Sequence, residues 1–96
     1  MSRPSVLQFR LYVAGNSVNS MQAVANLHAL CNEHLIDRHH IEVVDIFKEP
    51  LRALSEHILM TPTLIKLAPS PRRIVVGTLS QRSQLLAALG LTASTS

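Results

Sequence analysis

Ser17 and Ser20 are the hydroxyls best placed for chemistry in this 96-residue chain. They follow a strand-like run, Leu11-Tyr12-Val13, and a Gly15-Asn16 break, where an α/β enzyme could present a nucleophile. The G-x-S-x-G elbow that would expose such a serine is missing, and no acid partner is identifiable. A hydroxyl just ahead of a helix is suited to capping its unpaired N–H groups, so Ser17, Asn19 and Ser20 read as cap candidates. The one cysteine, Cys31, lies about three turns into the helix that follows. A reactive thiolate needs a helix N-terminus or a cationic neighbour, so Cys31 reads as a small buried core residue. His28, His34, His39 and His40 fall within thirteen residues. They lack a second cysteine or an acidic cluster at zinc-ligand spacing and, with His57, read as solvated surface. Gly15, Gly77 and Gly90 are isolated, so no glycine-rich phosphate cradle is present. The expectation is no catalytic residue, no metal and no cofactor.

Composition narrows the remaining classes. One domain spanning 1–96 is expected from the length, with residues 1–5 and 91–96 flexible. Hydrophobic residues make up 47% of the chain, with two Phe, one Tyr and no Trp, so the core must be aliphatic. Charged residues are only 16%, against roughly 25% in a typical domain, which points to apolar surface reserved for a partner chain. The net charge of +3 comes from scattered basic residues. Without a dense basic stripe or interleaved aromatics, nucleic-acid binding is not expected. One thiol cannot close an internal disulfide. No apolar run approaches the ~18 residues of a membrane span, and residues 1–5 carry no signal-peptide pattern. A cytoplasmic protein is expected.

The elements that must carry these residues follow from periodicity. Leu7, Phe9, Leu11 and Val13 alternate with Gln8, Arg10 and Tyr12, predicting a strand over 6–14 with a polar second face. A helix is expected from about Asn19 to Leu35, with Val24, Leu27, Cys31 and Leu35 along its apolar stripe. Ile41, Val43, Val44 and Ile46 predict a mostly buried strand to Phe47. Pro50 suits the first turn of a short helix whose buried stripe would be Leu51, Leu54 and Ile58. Thr61-Pro62 stops it and is a candidate cis bond. Strands are expected over 63–67 and 72–76, joined by Ala68-Pro69-Ser70-Pro71 as antiparallel neighbours. Thr78 to Gln81 has the spacing of a capping box, and Gln81 to Leu89 is helix-prone. The expected order is β-α-β-α-β-β-α, the first strand pairing in parallel with the second and third. That is the thioredoxin-like order, with serine and asparagine where redox cysteines would sit.

Several motifs together resemble the KaiB family of clock proteins. They are Leu11-Tyr12-Val13-Ala14-Gly15-Asn16, Asn19-Ser20, Val44-Asp45-Ile46, Lys48-x-Pro50, Ile58-Leu59-x-Thr61-Pro62-Thr63-Leu64 and Arg72-Arg73-Ile74-Val75-x-Gly77. The resemblance runs from about residue 7 to 89. It implies a non-enzymatic protein that binds the N-terminal ring of a KaiC-type ATPase. It also implies competition with a sensor histidine kinase and help in sequestering KaiA. It further implies two folds: a tetrameric ground state of order β-α-β-β-α-α-β and a thioredoxin-like monomer that binds the ATPase. On this basis partner contacts are expected at Asn16, Asn19, Lys48, Lys66, Arg72, Arg73 and Arg82, and a fold-switch region at Pro62, Gly77, Thr78 and Gln81. The sequence departs from the family pattern where basic residues are expected but Gln22, Ala25, Glu42 and His57 stand. An acidic position is Gln81 here, and a Gly-Asp pair is Gly77-Thr78.

The last segment bears on which fold is preferred. Ile74-Val75-Val76 is β-branched, whereas Gln81 to Leu89 contains no β-branched residue. A few tenths of a kcal/mol per residue in helix propensity accumulates to the order of a few kcal/mol over that stretch. That is enough to invert a marginal two-state balance. The expectation is a thioredoxin-like resting state, monomeric, with the tetrameric fold as the alternative.

Overall fold

A computed structural model describes residues 6–91. The elements are β1 (Leu7–Val13), α1 (Val18–His34), β2 (His39–Asp45), α2 (Pro50–Ser55), β3 (Thr63–Ala68), β4 (Arg73–Val76) and α3 (Arg82–Ala88). This is the thioredoxin-like β-α-β-α-β-β-α order. The sheet runs β2-β1-β3-β4. β1 is parallel to β2, with Leu7 opposite His39 and Val13 opposite Asp45.

β1 is antiparallel to β3, with Tyr12 opposite Thr63 and Gln8 opposite Ala68. The parallel pairing expected from sequence is therefore incorrect. α2 has six residues and spans only about 9 Å. The residues between α2 and β3 do not return the chain to the start of the sheet: the Ile58 N–H donates to the Ala53 carbonyl at 2.9 Å, keeping the segment folded back on the end of α2. β3 thus starts beside the end of β1 and runs the opposite way, and β4 then pairs antiparallel with β3, as expected.

The two faces of β1 enter two cores. Leu7, Phe9, Leu11 and Val13 pack with Ala23, Leu27, Leu30, Cys31 and Leu35, and with Leu85 and Leu89. On the other face Tyr12, Val44, Ala53 and Ile65 form a smaller cluster beneath α2. Tyr12 is fully buried, although alternation placed it on a polar face. β2 is an edge strand, so of its residues only Val44 is fully covered and Val43 is substantially exposed. The expectation of a mostly buried strand overlooked this position at the sheet's rim.

α2 presents the opposite side from the one expected. Ala53 faces the sheet, while Leu51 and Leu54 are 77% and 70% exposed. The sheet surface below carries Arg10, Glu42 and the Tyr12 hydroxyl, and Arg52 and Glu56 turn inward to meet them. Polar groups at a partly buried site need partners, and this requirement overrides the apolar stripe.

Local sequence explains the helix ends. Ser17 caps α1, its Oγ accepting from the Ser20 N–H at 3.3 Å. The capping box expected at 78–81 does not form: Gln81 is the N-cap of α3 without a side-chain bond, and Thr78 Oγ1 donates to Ser80 Oγ at 3.1 Å instead. Past α3, Gly90 takes φ +72°. The Leu91 N–H reaches the Leu86 carbonyl and the Gly90 N–H the Ala87 carbonyl, at 2.8 and 3.1 Å, the Schellman pattern of a helix stop. Leu91 packs on the main core, so it is not part of a loose end; 1–5 and 92–96 lie outside the described residues. The Thr61–Pro62 bond is cis, as are Ala68–Pro69 and Ser70–Pro71.

Candidate interaction surface

The start of α1 is organised for structure. Ser20 is buried, and its Oγ accepts from the Ala14 N–H at 3.0 Å and from the Ser17 hydroxyl at 2.9 Å. Both serines are thereby engaged in joining the end of β1 to the helix. Asp45 Oδ1 accepts from the N–H groups of Gly15 at 3.2 Å and Phe47 at 2.9 Å, tying the two βα turns together. Gly15 has φ +54° and the Phe47 ring lies where a side chain would begin, 3.5 Å from a Cβ position. The positive φ is what favours glycine here, since a Cβ at that distance from the ring would make only an ordinary contact. Cys31 lies fully buried on α1, and burial pushes its thiol up to about 11, far from a reactive thiolate.

Beside these turns runs a groove of about 520 Å³ between α1 and the edge of β2. Asn16, Met21, Val24, Val43, Lys48 and Glu49 contribute to its lining. Asn16 and Lys48, two of the expected contact residues, therefore share one site; Asn19 is exposed on the first turn of α1. Phe47, next to Lys48, is 72% exposed, and the outward leucines of α2 follow. Val18, Met21, Leu59 and Met60 are exposed as well. This apolar surface was missed in the sequence because Leu51 and Leu54 match a buried helical stripe. The low charged fraction was the one signal that pointed to it.

The other expected contact residues are dispersed. Arg72 and Arg73 are exposed at the start of β4, Arg72 donating to Glu56 Oε2 at 2.9 Å. Arg82 opens α3 and is paired with Glu33. Lys66 is only 5% exposed, which separates it from the solvent-facing basic residues with which the sequence grouped it. Of the expected switch positions, Pro62 is buried at the entrance to β3. Its carbonyl accepts from the Gly77 N–H at 2.9 Å, and the Thr78 carbonyl accepts from Asn26 Nδ2 at 2.8 Å.

An ion network fastens α2 to the sheet behind this surface. Glu42 accepts from Arg10 Nε at 2.9 Å and from both Nη atoms of Arg52 at 2.9 and 3.0 Å. Glu56 accepts from Arg10 Nη1 at 2.5 Å, from the Tyr12 hydroxyl and from Arg72. The Arg52 and Arg10 hydrogen bonds lower the Glu42 carboxyl to about 2. Burial alone would raise Glu56; the hydrogen bonds from Tyr12 and Arg10 outweigh it and the carboxyl lies below its ordinary range. A depressed folded value means that the stabilisation is complete above the unfolded carboxylate value. It is lost as pH falls from roughly 4.3 through about 2. Thermal melts between pH 6 and pH 2 are expected to show the midpoint dropping across that window, with a shallower drop for Glu42→Gln. Parallel profiles for the two proteins would refute this role for Glu42.

Comparison with known proteins gives this arrangement its context. The KaiB domain model matches residues 10–91. The chain is 43% identical over 82 residues to the circadian clock protein KaiB3 of Synechocystis sp., covering 85% of this chain and 80% of that one. This chain belongs to the KaiB family. It is also 41% identical over 91 residues to the circadian clock oscillator protein KaiB of Prochlorococcus marinus, covering 95% and 80%. Among solved structures, the N-terminal domain of Synechococcus elongatus SasA superposes with a TM-score of 0.74 at 18% identity, covering 100% and 94%. Chloroplastic thioredoxin z gives 0.71 at 16% identity, covering 92% and 81%. Those two likenesses establish the thioredoxin-like fold. In this chain Glu42 holds Arg10 and Arg52. Among the described residues, no helix is long and apolar enough to cross a membrane and no group of side chains could hold a metal ion.

Proposed function

We propose that this chain is a non-catalytic, cytoplasmic docking protein of the KaiB type that binds the N-terminal ring of a KaiC-type ATPase within a timing or stress system. The observation that carries the reading is the solvent exposure of Phe47, Leu51 and Leu54, in the chain segment that includes the groove residues Lys48 and Glu49, on a chain of this family. Large apolar side chains held outward beside a preformed groove suit a partner surface. Asn16, Asn19 and Lys48 supply its polar rim, and Arg72, Arg73 and Arg82 are proposed as separate contacts elsewhere on the surface. KaiA and a sensor histidine kinase are the further partners of the reading, as sequestered protein and competitor. The thioredoxin-like form is the binding form and the monomeric resting state, with Pro62, Gly77, Thr78 and Gln81 as the region that would rearrange. The β-branched β4 and the helix-prone 81–89 support that preference.

Sedimentation velocity of the chain alone and mixed with KaiC-type ATPases in their different phosphorylation states tests the proposal. The expected result is a free monomer that co-sediments with a ring in at least one state. Failure to co-sediment with any ring would overturn the docking function, and a free tetramer would overturn the resting state.

A further inference from the structure

We infer that the chain carries a second site, at the end of the sheet remote from the α1 N-terminus, that binds a small phosphate monoester. At this end β1 begins and β3 finishes, and the turn before β2 is held in place because the Leu7 N–H donates to the Arg38 carbonyl at 2.9 Å. Arg38 and Lys66 line one pocket of about 360 Å³ together with Ser70, Pro69, Leu89 and Leu91. Lys66 is 5% exposed, and its ammonium makes no ion pair or side-chain hydrogen bond among the described residues. Arg38 Nε is buried and likewise lacks a partner among them. A third cation, Arg73, sits directly opposite Lys66 in the β3–β4 register, and like charges so placed repel.

No Asp or Glu lines the pocket. The acidic side chains that form ion pairs do so with Arg10, Arg52, Arg72 and Arg82. Residues 1–5 and 92–96 contain no Asp or Glu either. A lysine buried along most of its length and an enclosed guanidinium N–H without a partner favour the arrival of a counter-charge. Convergence of Lys and Arg on one cavity favours a dianionic oxyanion that accepts from both, with the Ser70 hydroxyl as a further donor. The cavity exceeds a bare phosphate, and its remaining wall is proline and leucine, which suits an apolar or cyclic ester group. This site lies away from the docking groove and does not depend on the ATPase reading.

Titration of the ¹⁵N-labelled chain with phenyl phosphate at neutral pH, followed by amide shifts, tests the inference. The expected result is saturable movement of the Ser70, Gly90 and Leu91 amides, with benzoate roughly tenfold weaker for want of its second charge. Arg38→Gln and Lys66→Gln should each weaken phenyl phosphate roughly tenfold, the ratio that a hydrogen bond to a charged group is worth. The same spectra report whether each variant is folded. Arg38 lies in a turn, so its variant keeps the test intact if Lys66→Gln unfolds. The site is refuted by the absence of saturable shifts at those amides, or by undiminished binding in folded Arg38→Gln. Benzoate binding as tightly as phenyl phosphate would overturn the choice of a phosphate ligand.

Discussion

Glu56→Ala is expected to destabilise the fold by about 3 kcal/mol, the cost typical of breaking a buried charge pair from one side. The carboxylate is only 18% exposed and accepts from three side chains: Arg10 and Tyr12 on β1, and Arg72 ahead of β4. Its removal leaves the hydroxyl of a fully buried tyrosine and a half-buried guanidinium to find water. Glu56→Gln keeps an acceptor for Tyr12 and should lose less, which separates hydrogen bonding from charge. Urea denaturation monitored by circular dichroism supplies the comparison. A loss under about 0.5 kcal/mol, the range of an ordinary surface substitution, would show that the network is no more than a set of exposed pairs.

The double variant Leu51→Ser, Leu54→Ser is expected to weaken binding to a KaiC-type ring by at least about a hundredfold, since truncating two central apolar anchors exceeds a single hot spot. Its folding stability should stay within about 0.5 kcal/mol of the parent, because both leucines already face solvent. This pairing of outcomes is what distinguishes an interface from a core. Had the helix been seated as its stripe suggests, the same substitutions would unfold it, at about 2–5 kcal/mol for each leucine. Chemical denaturation and sedimentation on one preparation read both quantities. Undiminished binding would remove α2 from the interface.

Much of this fold was readable along the chain. Alternation marked β1, the 3.6-residue stripe marked α1, Gly15 and Gly90 marked where elements stop, and Pro62 marked where β3 begins, although α2 ends earlier than expected, at Ser55. The inertness of Cys31 was legible too, since its place on the stripe is fixed by helical spacing alone. The errors share one origin: each concerned which neighbour an element meets. Tyr12 and Leu51 are the clearest pair. Periodicity put the first outside and the second inside, and the structure reverses both, because the second face of the sheet is covered by a helix whose polar residues are needed there. The same limit affected the direction of β3, which depended on where the chain lies after α2 and on which end of β1 it meets.

The candidate sites divide in the same way. Asn16 and Lys48 could be singled out from motif and position, whereas the groove that joins them exists only once α1 lies beside β2. Lys66 in sequence is one more basic residue in a basic chain; its burial in a pocket shared with Arg38 and lined by no Asp or Glu arises because the start of β1, the end of β3 and the turn after α3 meet at one corner. The sequence by itself determined the elements, the absence of thiol chemistry at the head of α1 and the family, since these rest on local spacing and residue type. Only the tertiary structure decided which leucines face out, how Glu42 is used and where unpaired charge collects, because burial and pairing are properties of neighbours far apart in the chain.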